Sequence, residues 1–389
     1  MSQDERRTVI GVPRETYAGE RRVSLIPAQI PALAKAGCEV VVEAGAGAEA
    51  GFPDADYTGK GARLANSRDE VFQAEIVVQV RAGGANPEAG KADLSRLRSG
   101  QILIGSLDPL SAPQSMQELG ATGVTSFSLE LLPRITRAQS MDILSSMATI
   151  AGYKAVLLAA ETLPRIFPML MTAAGTLSPA KVLIVGAGVA GLQAISTARR
   201  LGAVVSAYDV RPAVKTEVES LGARFVELPL EATDTAQAGG YAKQMSEDFY
   251  QKQRELMTRV VADSTVVITT AVIPGKAAPV LVTKEMVQAM EPGSVIVDLA
   301  AERGGNCELT RPGETVVAHG VTILGPFNLP ATIPFHASQM YSKNMATFLL
   351  HLLKLGVNLP EYEDEILRDT RVTHGGQVVH TRVRELLQQ

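Results

Sequence analysis

The sequence predicts an α/β protein made of two Rossmann-like, doubly wound domains separated by a cleft. Three observations carry this. Short Val- and Ile-rich runs alternate with helix-patterned stretches, and the alternation occurs twice, before and after a long helical stretch near residue 150. Hydrophobic residues make up 46% of the 389 residues, yet aromatics supply only 4% and Trp none, so the cores must be built from Ala, Val, Leu and Ile, as in buried parallel strands covered by helices. The second alternating run opens on a glycine-rich turn between a strand and a helix.

The elements follow in order. Thr8–Val12 reads as a strand, Pro27–Ala36 as a helix closed by Gly37, and Glu39–Glu43 as a strand leading to Gly45, Gly47 and Gly51. Glu75–Val80, Ile102–Ser106 and Val124–Phe127 complete a parallel sheet with crossover helices. Arg137–Thr162 has the composition of one continuous helix, suited to an interdomain spacer. Pro164–Pro179 is apolar, bounded by Pro and broken at Gly175, the pattern of a hairpin that is either core or dimer contact.

From Lys181 the alternation resumes. Val182–Val185 leads into the glycine turn and the helix Gly191–Leu201; Val204–Tyr208, Arg224–Val226, Thr265–Thr269, Ser294–Asp298 and Val321–Leu324 follow as strands. Between two of them lies a long polar connection, Glu231–Arg254, containing Gly239-Gly240. It reads equally well as a mobile lid or as a surface excursion with one helix, Ser246–Thr258. Ser338–Leu355 has helical spacing and is expected to pack back on the first domain, with the charged tail Glu361–Gln389 at the surface. The expected organisation is residues 1–138 completed by 326–389, and a nucleotide-binding domain of 139–325.

Several classes are disfavoured. A net charge of −4 gives no reason to expect nucleic acid. Cys38 and Cys307 are too few for a disulfide framework and are not spaced as a metal site, so no metal is expected. The polar stretch Met1–Arg7 lacks the apolar core of a secretion signal, and the apolar runs Val182–Ile195 and Phe348–Leu355 are too short to span a bilayer. A soluble, cytoplasmic protein is the expectation, with attachment to a membrane through another subunit left open.

Gly186-Ala187-Gly188-Val189-Ala190-Gly191 is a GxGxxG motif in its required setting, after a strand and opening a helix. Gly186 permits the tight turn, Gly188 lets a pyrophosphate approach the backbone, and Gly191 lets helix and strand pack closely. The helix N-terminus then offers N–H groups to phosphate. Asp209, 18 residues after Gly191 and followed by Val210 and Arg211, can accept hydrogen bonds from ribose hydroxyls and repel a 2′-phosphate. NAD(H) is therefore expected over NADP(H), although Arg211 is a group that can hold a 2′-phosphate. Thr270, Ala271 and Val272, at the carboxyl end of the next strand, are expected to line the same nucleotide, as is the strand-end loop Asp298–Asn306. A rival glycine run, Gly45–Gly51, has GxGxxxG spacing and is followed by Phe52-Pro53, which suits a tight loop better than a nucleotide cradle.

At Arg137-Ala138-Gln139-Ser140-Met141-Asp142 and Ala151-Gly152-Tyr153-Lys154-Ala155-Val156 the chain resembles the NAD(H)-binding domain I of proton-translocating NAD(P)+ transhydrogenase alpha subunits. The likeness runs from Gly11-Val12-Pro13-Arg14-Glu15 and Glu20-Arg21-Arg22-Val23 to the helix around Asn344. It implies direct hydride exchange between NADH held here and NADP+ held on a partner subunit, coupled to proton movement through a membrane subunit. It also implies that Arg134, Gln139, Asp142 and Ser145 meet the nicotinamide and its ribose, that Tyr241 lies on a mobile loop, and that Pro164–Pro179 is exchanged within a homodimer. From the residues alone, helix N-terminal capping and first-turn charge is the better reading of Gln139 and Asp142, and Arg134 after Pro133 also reads as a solvated loop cation.

The competing member of the same wider family is alanine dehydrogenase. The resemblance would give Arg22 and a lysine the substrate carboxylate and a histidine the proton. Here the lysine position reads as Arg81 and the histidine position falls at or near Asp108. Amine oxidation needs a base of near-neutral pKa, and all five histidines lie at residue 319 or beyond. A non-catalytic NAD sensor is the third class; the Gln139/Asp142 loop and the long Gly239–Gln253 segment weigh against it.

Overall fold

The computed structural model describes residues 7–227, 247–273, 275–357 and 360–388, with only the helical backbone described over 247–253. The expected class is borne out: the chain divides into two α/β units, Met1–Met147 with Pro330–Gln389, and Ala148–Leu329.

In the first unit, β1 (Thr8–Val12), β2 (Cys38–Glu43), β3 (Arg63–Ala65), β4 (Ile76–Arg81), β5 (Ile102–Ser106) and β6 (Thr125–Ser128) form a parallel sheet of order β3-β2-β1-β4-β5-β6. This is the doubly wound order, reversing at β1. Both faces of the strands are covered, so Val40, Val41 and Val42 in succession are buried, which a half-exposed strand does not tolerate. The strand β3 is not among those the sequence predicts; its three residues are too few to show a period.

The stretch expected as one helix is two elements. A 3-10 turn covers Thr136–Met141, Asp142 leaves helical geometry with ψ at 95°, and α1 begins at Ile143 and runs to Thr162. The cause is Asp142 itself, whose carboxylate accepts from the Ser145 N–H at 2.9 Å and the Ser145 hydroxyl at 2.6 Å. An Asp that can bond the backbone two or three residues on favours a cap over a helix interior. Among the described residues α1 alone is long and apolar enough to cross a membrane; it buries Ile143, Ile150, Ala155, Val156 and Ala159, while Leu144 and Tyr153 are exposed.

In the second unit a hairpin of β7 (Leu170–Thr172) and β8 (Gly175–Leu177) realises the expected turn at Gly175. The main sheet comprises β9 (Lys181–Val185), β10 (Val204–Tyr208), β11 (Arg224–Phe225), β12 (Val266–Thr269), β13 (Val295–Asp298), β14 (Thr315–Ala318) and β15 (Val321–Leu324). Its order is β11-β10-β9-β12-β13-β15-β14, parallel except for β14, an edge strand absent from the sequence-based expectation. The helix α2 (Val189–Arg200) connects β9 to β10. The order reverses between β9 and β12, so a crevice for a ligand forms at the carboxyl ends of those two strands.

The helix α3 (Pro334–Leu355) belongs to the first unit: Tyr341, Met345, Phe348, Leu349 and Leu352 join the core of β1, β2, β4 and β5. The tail departs from its expected surface location. After α4 (Glu365–Thr370), β16 (Arg371–His374) pairs antiparallel with β6, β17 (Gln377–Val378) folds back on β16, and α5 (Thr381–Leu387) follows. Val372, Thr373 and Val383 are fully buried. The charged composition of the tail conceals this, because two valines are enough to seat a short strand that covers the open edge of β6.

Candidate nucleotide-binding site

The glycine loop is built by three glycines with three different reasons. Gly186 has φ +101°, and a Cβ there would lie 2.6 Å from Thr270 Oγ1. The Gly186 N–H donates to the Tyr208 carbonyl at 2.8 Å, while the Thr270 hydroxyl donates to the Gly186 carbonyl at 2.9 Å. A Cβ on Gly191 would sit 1.9 Å from the Gly186 carbonyl oxygen, so the first turn of α2 is pressed against the loop. Gly152 of α1 does the same one layer out, its Cβ position 2.1 Å from the Ala190 carbonyl oxygen. Gly188 is unlike them. Its φ of −80° and ψ of −166° suit any residue, and a Cβ there would meet nothing within 4 Å. Nothing among the described residues requires a glycine at 188; the open space beside it does, if a ligand is to lie against the backbone. The helix α2 also starts without a side-chain cap, which leaves its N–H groups and positive dipole end for an anion.

Asp209 follows β10 and is tied to this loop. Its Oδ2 accepts from the Ala187 N–H at 2.8 Å and from Arg211 Nη2 at 2.9 Å; its Oδ1 accepts from the Arg211 N–H and Nε, each at 2.9 Å. A carboxylate has roughly four lone-pair sites, and all are engaged. Asp209 thus holds the loop at Ala187, and it has a lone pair for a further donor only when Arg211 turns away. Val210, between them, packs partly into the core of this unit.

Beyond β12, Thr270 touches the glycine loop, Ala271 is bonded to Asn306, and Val272 exposes 45% of its surface. The structure therefore gathers Gly186–Gly191, Asp209, Arg211, Thr270 and Ala271 at the reversal of the sheet. Asn306 and Asp298 stand out among the buried polar residues of this unit. Asp298 Oδ1 accepts from Thr269 Oγ1 (2.8 Å) and the Ala300 N–H (3.0 Å), and Oδ2 from the Cys307 N–H (3.0 Å) and Thr310 Oγ1 (2.7 Å). In the sequence they are visible only as the ends of a strand-end loop; the available signal is Gly304-Gly305, whose φ values of +97° and +89° turn the chain back toward β12.

In the first unit, Arg134 and Gln139 are exposed, and Asp142 and Ser145 are bonded to each other at the start of α1. Two contacts anchor this segment. Asn344 Nδ2 of α3 donates to the Ser140 carbonyl at 2.8 Å, and Arg137 forms ion pairs with Asp364 (2.5 Å) and Glu365 (2.8 Å). Asp364 also caps α4 through the N–H groups of Ile366 and Leu367 and accepts from His351 Nε2 at 3.0 Å. Partial burial works against its ionisation, but His351 and Arg137 outweigh it and bring its pKa down from 3.8 to about 2. The folded state therefore binds that proton more weakly than the unfolded chain, so the stabilisation is complete above the unfolded value and is lost as pH falls through 3.8 toward 2. Thermal melts of wild type and Asp364→Asn should differ at about pH 6 and converge near pH 2; a difference that stays constant with pH would contradict the assignment. Tyr241 lies outside the described residues.

The rival glycine run is a tight loop: a Cβ on Gly47 would fall 2.6 Å from the Tyr57 hydroxyl and 2.7 Å from the Phe52 carbonyl oxygen. Arg22, one of the two cations that an amino-acid substrate would need, is buried with its Nε and Nη2 on Glu20 at 2.7 and 2.6 Å, and Arg81 Nε is 3.4 Å from the same carboxylate. Asp108 has φ +51°, its N–H donating to Glu130 at 2.8 Å.

Comparison with known proteins places these features in a family. The N-terminal domain model of alanine dehydrogenase/PNT matches residues 11–151 and its C-terminal domain model residues 155–381. The chain is 47% identical to the first part of the NAD(P) transhydrogenase alpha subunit of Rhodospirillum rubrum over 375 residues, 95% of this chain and 97% of that protein. Among solved structures it is similar to a transhydrogenase from Sinorhizobium meliloti, with TM-score 0.83, 42% identity and coverage of 96% and 99% of the two chains. It is also similar to an L-alanine dehydrogenase, with TM-score 0.81, 27% identity and coverage of 98% and 99%.

Proposed function

The chain belongs to the alanine dehydrogenase/PNT family, on its transhydrogenase alpha-subunit side, and from that premise we propose that it holds NAD(H) for hydride exchange with NADP(H) carried on a partner subunit. The observation that carries the reading is Gly188: a glycine with no internal reason to be one, at an uncapped helix N-terminus, where the sheet order reverses. A pyrophosphate fits there, held by the N–H groups of the Gly186–Gly191 loop. The adenosine ribose belongs at Asp209 with Val210 and Arg211 beside it, and the nicotinamide half at Thr270, Ala271 and Val272. Arg134, Gln139, Asp142 and Ser145 are assigned to the nicotinamide amide and its ribose, and Tyr241 to closure over the bound nucleotide.

When bound, the nucleotide supplies the transferable hydride. The chain's own work is orientation. Exchange between two nicotinamide rings releases no proton at the reacting carbons, so no general base is needed, only approach to about 3–3.5 Å in the right alignment. An Arg, Gln, Asp and Ser set suits this, because it positions amide and hydroxyl groups by hydrogen bonds without drawing off a proton. Amino-acid oxidation, the reading that the L-alanine dehydrogenase likeness favours, needs a base, and position 108 is Asp with no histidine before residue 319.

The test is a pair of fluorescence titrations with NADH and NADPH on the purified chain. Tighter binding of NADH is expected; equal or reversed affinities would overturn the assignment. Asp209→Ala sharpens the same test. Losing a hydrogen bond to a charged acceptor costs roughly 1.5–3 kcal/mol, so NADH affinity should fall by about 10- to 100-fold. NADPH should lose less, because Arg211, released from Asp209, becomes available to a 2′-phosphate. An unchanged NADH-to-NADPH ratio would remove Asp209 from ribose recognition.

The remaining parts of the reading concern assembly: a homodimer, and attachment at the cytoplasmic face of a membrane through an NADP(H)-binding and a membrane-spanning subunit, with proton translocation by the latter. The hairpin supports the homodimer. All six residues of β7 and β8 are exposed, with Met171 at 79%, and an isolated two-stranded hairpin is marginal in water without a partner surface.

A further inference from the structure

We propose that Asn306 is the positioning residue for the nicotinamide half of the nucleotide. This rests on the nucleotide reading above and names the device that shapes that half of the site. Asn306 is fully buried, and its side chain treats Ala271 as a neighbouring strand would: Oδ1 accepts from the Ala271 N–H at 2.9 Å and Nδ2 donates to the Ala271 carbonyl at 2.8 Å. Nδ2 also donates to the Pro279 carbonyl at 2.8 Å, and the Asn306 carbonyl accepts from the N–H groups of Leu281 and Val282. One amide thus ties Ala271 and Pro279 to the same point. With both backbone groups of Ala271 consumed, that residue has one orientation, in which Val272 stands exposed beyond the carboxyl end of β12.

The adenosine side has separate supports. The Gly186 N–H is held by the Tyr208 carbonyl, the Ala187 N–H by Asp209, and Asp209 by Arg211, and none of these bonds passes through Asn306. In a sheet that reverses between β9 and β12, the adenosine lies on the β10 side and the nicotinamide half on the β12 side. Losing the clamp therefore acts on one half of the ligand. A residue needed only for stability acts on both.

The experiment titrates wild type, Asn306→Ala and the smaller perturbation Asn306→Ser with NADH and with ADP, which lacks the nicotinamide half. The expected result is NADH affinity reduced at least tenfold in Asn306→Ala and less in Asn306→Ser, with ADP affinity within twofold of wild type in both. Equal losses for the two ligands in both variants, or unchanged NADH affinity, would overturn the role of Asn306. Wild-type protein that binds ADP but not NADH would instead overturn the nucleotide reading on which the role rests.

Discussion

Gln139→Asn is expected to leave NADH affinity within about twofold of wild type while slowing hydride transfer by about 100-fold or more, the penalty for reacting groups displaced by about 1 Å. The expectation comes from how the segment is held. Thr136–Met141 is a single 3-10 turn whose backbone is fixed by Asn344 at Ser140 and by the Arg137 pairs with Asp364 and Glu365. The Gln139 side chain, by contrast, is exposed and makes no hydrogen bond among the described residues. It contributes nothing to the turn, so its amide is available for a ligand. Removing one methylene retracts that amide without disturbing its base. Most of the affinity belongs to the glycine loop and the ribose contact, which the substitution leaves alone. Single-turnover transfer in the reconstituted assembly, together with a binding titration, separates the two effects. Wild-type turnover in Gln139→Asn would end the assignment; a parallel loss of affinity would show that Gln139 binds the nucleotide without aligning it.

The second large effect separates two glycines of the same loop. Gly188→Ala should fold as well as wild type, because its backbone angles are ordinary and its new methyl meets no atom of the described residues within 4 Å. It should nevertheless bind NADH roughly 5- to 150-fold more weakly, since a methyl forced into a filled contact costs about 1–3 kcal/mol. Gly191→Ala should fail in the opposite way. Its methyl would lie 1.9 Å from a backbone oxygen, so the loop or α2 must move, and the same order of strain now falls on the protein itself. Its melting temperature should drop by roughly 2–12 °C. Calorimetry and titration on both variants decide the matter. A destabilised Gly188→Ala, or one that binds NADH normally, would remove the ligand explanation for that glycine.

The contrast also shows how far the residues themselves can be read. The alternation of β strands and helices, the GxGxxG loop and the acid after β10 are legible because each expresses a local rule: burial on both faces, a positive φ, a carboxylate at a strand end. What escapes is set by tertiary contacts. Val372 sits in a tail dense with charge, and it is the open edge of β6 that explains why its strand is buried. The break at Asp142 depends on one side chain choosing Ser145 over a helix interior. Asn306 has no motif at all; its importance lies in a bond to Ala271, 35 residues away. At Asp209, spacing singles out the acid after β10 but not its engagement by Arg211, which occupies the carboxylate on both oxygens.

The central claim is that this chain presents NADH to a second nicotinamide nucleotide and leaves amino acids alone. The direct measurement mixes the purified chain first with NAD+ and L-alanine, or with [4-²H]NADH, pyruvate and ammonia, and then with [4-²H]NADH and an NADP+-loaded partner subunit. The account predicts no amino-acid turnover in the first case and transfer of deuterium to NADP+ without exchange with water in the second. Reduction of NAD+ by L-alanine with the chain alone, or deuterium lost to solvent during transfer, would contradict it.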